Sequence, residues 1–239
     1  KAEFGGRLIG AISSETKNMN YLVNNESFVS AIWDYATDSL TERDFEHIEI
    51  YEPKLAESWS LSEDKMTYTI KIRKGVLWHD FTDPVTGKKW TDVEVKAQDF
   101  KFYVDVIKDE TTDCAPMRSY LQDMEGVEVV SDYEFKVKWK KKYFLSESIT
   151  LGLNPLPRHL YHAYEGPFAG KRFNDDHERN RMIVGCGPYC FDKWEKGQRI
   201  VLKRWDKYYG KKYGIMPPLE NIVFEVIGHP NTQFQSLLS

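Results

Sequence analysis

Apolar and polar residues alternate most clearly from Met66 to Arg73. Met66, Tyr68, Ile70 and Ile72 interleave with Thr67, Thr69, Lys71 and Arg73. Period two predicts a strand with one buried and one wet face. Leu55, Ala56 and Trp59 form an apolar lead-in, joined to it by the polar turn residues 62–65. Tyr133, Phe135, Val137 and Trp139 repeat the alternation against charged partners, after a first strand over 126–130 and a Ser131-Asp132 turn. Helical spacing occurs twice. Phe28, Ala31, Ile32 and Tyr35 predict an amphipathic helix with Asn24 or Asn25 as N-cap; Phe100, Tyr103, Val104 and Ile107 predict a second over 97–108.

Further strands are expected over 7–13, 189–194, 199–205 and 221–227, with Gly197-Gln198 as a turn. Residues 81–92 read as a turn-rich loop. Asn154-Pro155-Leu156-Pro157 reads as a stiff extended stretch before a short helix over 158–164. The Gly-, Asp- and Asn-rich 166–180 reads as a linker or crossing segment, and 233–239 as the first turns of a helix. Strands and helices mixed without βαβ regularity predict an α+β fold of mixed β-sheets with flanking helices.

Composition narrows the function classes. The chain has 239 residues, 41% hydrophobic and 14% aromatic, enough for a substantial core. Its net charge of −4 lacks the basic surplus of a nucleic-acid binder, so no nucleic-acid partner is expected. The interleaved Lys138-Trp139-Lys140-Lys141-Lys142-Tyr143 is read as a wet strand face instead. Cys186 and Cys190, on one extended segment, would lie about 13 Å apart, too far for a disulfide unless Gly187-Pro188 bends the chain. His159 and His162 could share a helix face, but two histidines do not make a zinc site. Asp175-Asp176-His177-Glu178 reads as a solvated acidic loop. No metal and no cofactor are expected, and no nucleophile elbow, P-loop or dinucleotide fingerprint occurs.

The order of motifs adds a resemblance. Leu-Ala-Glu-Ser-Trp at 55–59, the Ser-Glu-Asp turn, Tyr-Thr-Ile-Lys-Ile-Arg-Lys-Gly-Val at 68–76 and Trp78-His79-Asp80 closely resemble the signature of family 5 extracellular solute-binding proteins. Lys96-Ala97-Gln98-Asp99-Phe100 is similar to that family's helix entry, with Lys96 where a capping Thr is common. Residues 154–159 resemble its Pro-x-Pro-Lys-His element. Gly185-Cys186-Gly187-Pro188-Tyr189 resembles its Gly-Thr-Gly-Pro-Tyr strand entry, and 195–204 with 207–210 the strand and turn that follow.

The resemblance implies a periplasmic-binding-protein-like type II lobe with an inserted domain. Residues 1–40 plus 180–239 would form domain I, and 41–179 the inserted domain II. Domain III lies outside these residues, so an N-terminal fragment is expected. The implied function is the extracytoplasmic solute-binding component of an ABC transporter, a non-enzymatic monomer that takes peptides and meets the transporter's membrane subunits. Its place would be periplasmic or extracellular, with a lipid anchor on the full-length precursor as an option. The same fold used for a nickel complex or an oligosaccharide, or as a signalling receptor, is the alternative. A hydrolase built on His79 with Asp80 or Asp83 is the rival of a different class; within the resemblance, His79 caps a strand end.

Ligand-facing residues are sought in the polar loop 13–26, where helix amides can meet a carboxylate. Ser14, Glu15, Asn24, Asn25 and Glu26 are the candidates there, set against plain solvation and helix capping. Gly187 at the crossover joins them, although a structural turn is the simpler reading for it and for Tyr189.

Overall fold

A computed structural model describes residues 4–161 and 167–238. In chain order it contains β1 (Arg7–Ile12), α1 (Ser27–Ala36), β2 (Thr41–Arg43), β3 (Tyr51–Pro53), β4 (Ala56–Leu61) and β5 (Thr67–Ile72). Then come β6 (Phe81–Thr82), β7 (Lys89–Trp90), α2 (Ala97–Lys108), α3 (Ala115–Tyr120), β8 (Met124–Ser131), β9 (Glu134–Trp139) and α4 (Ser146–Leu151). After α5 (Arg158–Tyr161) and α6 (Gly170–Asp175), a 3-10 turn at Arg179–Arg181 leads into β10 (Tyr189–Glu195), β11 (Arg199–Arg204), β12 (Asn221–Val226) and α7 (Pro230–Leu238).

Two four-stranded sheets organise these elements. One has the order β4-β5-β9-β8, with antiparallel neighbours throughout. The period-two pattern sets its buried face: Tyr68, Ile70 and Ile72 of β5 and Phe135, Val137 and Trp139 of β9 all point inward. Phe100 of α2 stacks on Phe135 at 5.0 Å between ring centroids. The other sheet has the order β1-β12-β11-β10. Here β1 runs parallel to β12, Arg7 opposite Asn221 and Ile12 opposite Val226. Parallel partners need a long connection, and this one spans most of the chain. Val29, Ile32, Trp33 and Ala36 of α1 pack with Ile200, Leu202 and Ile222 in the core beside this sheet.

Several expectations are corrected. The buried face of α1 is offset by one residue from the predicted one: Val29, Ile32, Trp33 and Ala36 are buried, while Ala31 and Tyr35 are exposed. Both registers satisfy helical spacing, and Trp33, whose Nε1 donates to the Met19 carbonyl, selects the observed one. The N-cap is Glu26, not Asn24 or Asn25, and its side chain makes no capping bond. The 81–92 loop carries the two-residue ladder of β6 and β7.

Of the segment read as a linker or crossing, the described residues 167–180 are packed structure rather than a free linker. Phe173 is fully buried, and Arg179 reaches Asp83 through Nε (3.1 Å) and Nη2 (3.2 Å) and Asp176 through Nη1 (2.9 Å). Asp176 is therefore half of a buried ion pair, not part of a solvated acidic loop. The short helix after Pro157 is described to Tyr161; His162 and the rest of its predicted extent lie outside the described residues.

Candidate functional site

The loop between β1 and α1 is shaped by asparagine side chains two residues ahead of the amides they accept from. Asn18 Oδ1 accepts the Asn20 N–H (3.0 Å), Asn20 Oδ1 the Leu22 N–H (3.1 Å) and Asn24 Oδ1 the Glu26 N–H (2.9 Å). Each is an Asx turn, in which the side chain replaces a backbone partner. The Asn24 amide also donates to Thr16 Oγ1 (2.7 Å) and to the Asn18 carbonyl (2.8 Å), drawing the loop into a closed knot. Met19 and Leu22 anchor it in the core.

The predicted residues divide. Ser14 and Asn25 are exposed. Glu15 is exposed, and its Oε1 accepts the Gly197 N–H at 2.9 Å, tying the loop to the β10–β11 turn. Asn24 and Glu26 are half-buried, and the Asn24 amide is committed to the knot. Asn20 escaped the sequence reading. It is fully buried, and its Nδ2 donates to Asn180 Oδ1 at 2.9 Å. The run of asparagines at 18, 20 and 24 was the available signal.

Gly187 sits at the crossover from the 179–181 turn into β10, away from solvent. Its N–H donates to the Ala36 carbonyl (2.8 Å) and its carbonyl accepts from His79 Nε2 (3.0 Å). A Cβ here would come within 2.8 Å of the Ala36 carbonyl carbon, and one on Gly185 would collide with the Ala36 carbonyl oxygen. The close approach of two backbones explains both glycines.

His79 is the counterpart of that crossover. The Gly185 N–H donates to its Nδ1 at 3.2 Å, so the ring proton resides on Nε2 and is donated to Gly187. Burial lowers its pKa to about 4. Its two nitrogens hold backbone, and the carboxylates named for a hydrolase are engaged elsewhere. Asp80 accepts from Lys207 (2.6 Å), and Asp83 pairs with Arg179.

His159 lies among the rings of Trp78, Phe81 and Trp90, and burial, then Arg158, lowers its pKa to about 4. Among the described residues no three His, Cys, Asp or Glu side chains are grouped to hold a metal ion. Cys114, Cys186 and Cys190 are free and buried. In the basic stretch, Trp139 is buried and donates to Thr150 Oγ1 (3.0 Å), while Lys138 and Lys141 pair with Glu128 and Asp123. Base and aromatic thus face opposite ways. Among the described residues no helix is long and apolar enough to cross a membrane.

This arrangement has known counterparts. The model for "Bacterial extracellular solute-binding proteins, family 5 Middle" matches residues 51–239. The chain belongs to the family 5 bacterial extracellular solute-binding proteins. Among family 5 relatives, the oligopeptide-binding protein AppA of Bacillus subtilis is 28% identical over 99% of this chain and 40% of its own. The dipeptide-binding protein of Escherichia coli is 25% identical over 77% of this chain and 34% of its own. The chain thus spans less than half the length of these family 5 relatives.

The structure of the Bacillus subtilis AppA protein in complex with a nonapeptide superposes with a TM-score of 0.79 at 24% identity, over 99% of this chain and 43% of the other. That of NikZ from Campylobacter jejuni with Ni(L-His) gives 0.73 at 24% identity, over 97% and 41%. These likenesses establish the shared α+β fold of solute-binding lobes, and the relatives named are solute-binding proteins.

Proposed function

We propose that the protein is the extracytoplasmic solute receptor of an ABC importer and that its ligand is a peptide. The observation that carries this reading is the 28% identity to an oligopeptide-binding protein along nearly the whole chain. On this reading it acts as a monomer outside the cytoplasmic membrane, held there by a lipid on its precursor, and hands its cargo to membrane subunits.

We assign residues 1–40 with 180–239 to one domain and 41–179 to an inserted one. In support, one four-stranded sheet draws its strands from 7–12 and 189–226, the other from 56–139. The exposed Ser14 and Asn25 would contact the ligand. Asn24 and Glu26 would set the loop's shape, Glu15 would hold it to the Gly197 turn, and Gly187 would back it from the crossover.

Calorimetric titration of the full-length protein with a pool of short peptides tests the reading, with nickel–histidine as the second arm. Heat from peptides, reduced roughly three- to tenfold in affinity in Ser14→Ala/Asn25→Ala, is the expected result. Heat only from the nickel complex, or no heat from either, sinks the peptide assignment.

A further inference from the structure

A cavity of about 330 Å³ lies where β3 and the end of β5 meet the 205–215 segment. None of its lining residues belongs to the 13–26 loop or to the groups that loop bonds. Its walls include Tyr208, Tyr209 and Tyr213, together with Lys54, Glu42 and Arg73.

The two cations differ in how they are occupied. Lys54 Nζ is shared between Asp38 Oδ1 (2.9 Å) and Glu42 Oε2 (3.4 Å), and Asp38 also accepts from the Tyr208 hydroxyl (2.9 Å). Arg73 is held but not neutralised. Its Nε donates to the Lys54 carbonyl at 2.6 Å, and its guanidinium carbon stands 4.6 Å from the centroid of the Tyr213 ring. Among the described residues no carboxylate pairs with it. A guanidinium has five donors, so the terminal fork, two nitrogens wide, keeps its bonding capacity in a half-buried position. Lys212 Nζ approaches the adjacent Gly75 and adds positive charge there.

A side chain fixed at Nε and at one face loses little freedom when the fork binds, and the fork matches a carboxylate in two parallel hydrogen bonds. The aromatic lining suits a flat apolar body behind that carboxylate. The volume lies at the small end of ligand pockets. We propose that this cavity is a second ligand site, distinct from the 13–26 loop, that takes a small aromatic carboxylate on the Arg73 fork against Tyr213.

The probe is benzoate, titrated calorimetrically into the full-length protein at low salt, with neutral benzamide alongside. Benzoate is expected to bind with a Kd on the order of 1 mM. Arg73→Gln should weaken it by about tenfold or more, the loss of a charge-assisted pair. Benzamide should bind no better to the wild type than benzoate does to the variant. Peptide affinity should not change in Arg73→Gln, which separates this site from the proposed receptor function. Equal benzoate affinity in the wild type and the variant, or no benzoate binding, overturns the proposal. Should the variant not fold, wild-type crystals soaked in 4-bromobenzoate decide the matter. An anomalous bromine peak beside Tyr213 supports the site, and a cavity without one refutes it.

Discussion

Asn20 and Asn180 meet amide to amide in the interior, 160 residues apart in sequence and 2.9 Å apart in space. Each uses its remaining capacity on backbone: Asn20 accepts from Leu22, and Asn180 donates to the Phe173 carbonyl at 2.8 Å. The Asn180 carbonyl also accepts the Met19 N–H at 2.6 Å. One buried contact thus fixes the candidate ligand loop to the 179–181 turn, and through the Phe173 carbonyl to α6.

Asn20→Ala should destabilise the protein by about 1–3 kcal/mol, because it orphans a buried acceptor on Asn180 as well as deleting a bond. Asn20→Ala/Asn180→Ala should cost less than the sum of the single changes. Urea unfolding of the four forms measures both quantities. Additive costs would mean that the pair is not coupled.

The Asp83–Arg179 pair is buried at both ends. Removing one partner of such a pair strands a charge, so Arg179→Met should cost about 3–5 kcal/mol. Asp83→Asn/Arg179→Met should recover part of that loss, since the more deeply buried of the two carboxylates facing Arg179 then carries no charge. Thermal unfolding monitored by circular dichroism distinguishes the forms. A double variant no more stable than Arg179→Met would contradict the account.

His79 makes stability depend on pH. Its folded pKa of about 4 lies below the ordinary histidine value of about 6.5. The unfolded chain therefore binds a proton first as pH falls, and stability declines from pH 6.5 toward pH 4. His159 is lowered in the same way. Each contributes a slope of up to roughly 1.4 kcal/mol per pH unit inside that window. His79→Asn, with an amide oxygen able to accept from Gly185, should remove about half of the histidine slope between pH 6.5 and 5. Unfolding free energies at several pH values give the answer, and an unchanged slope would show that His79 titrates normally.

The glycines provide a graded comparison. Gly197 has φ of +69° and open space where a Cβ would go, so Gly197→Ala should cost only about 1 kcal/mol of backbone strain. Gly185→Ala has no room beside Ala36, and should cost several-fold more or prevent folding. Expression yield and unfolding midpoints of the two variants are the measurement. Equal costs would mean that the crossover can move away from α1.

Much of this was legible because local chemistry decided it. The alternation through Tyr68, Ile70 and Ile72 survives folding, since an antiparallel sheet with one core face needs nothing beyond period two. The α2 boundaries were legible for a related reason. Asp99 at the third helical position accepts the Lys96 N–H at 2.9 Å, so the helix start does not require a capping Thr. Lys96 instead pairs with Glu94 (3.0 Å) and Asp132 (3.2 Å).

The misread parts depend on distant partners. Residues 166–180 are rich in Gly, Asp and Asn, as linkers are, and only the arrival of Asp83 and Asn20 turns Arg179 and Asn180 into interior residues. At the loop, the spacing of Asn18, Asn20 and Asn24 carried the turns, but not which of the three would be buried. Gly187 shows the same limit: its sequence context announces a turn, while its contact with Ala36 is a tertiary fact.

The parallel pairing of β1 with β12 also sets an order of events. A chain leaving the ribosome, or threading through a membrane pore, exposes residues 7–12 long before residues 221–226 exist beside them. All four strands of the 56–139 sheet emerge earlier, each next to a partner or separated by a modest loop. That sheet can close while the first strand still waits, its exposed Leu8 and Ile9 open to misassociation. Closing so long a loop is entropically slow. Nascent chains cut short of residue 221 should therefore be the aggregation-prone species, and escort by a chaperone would matter most in that interval.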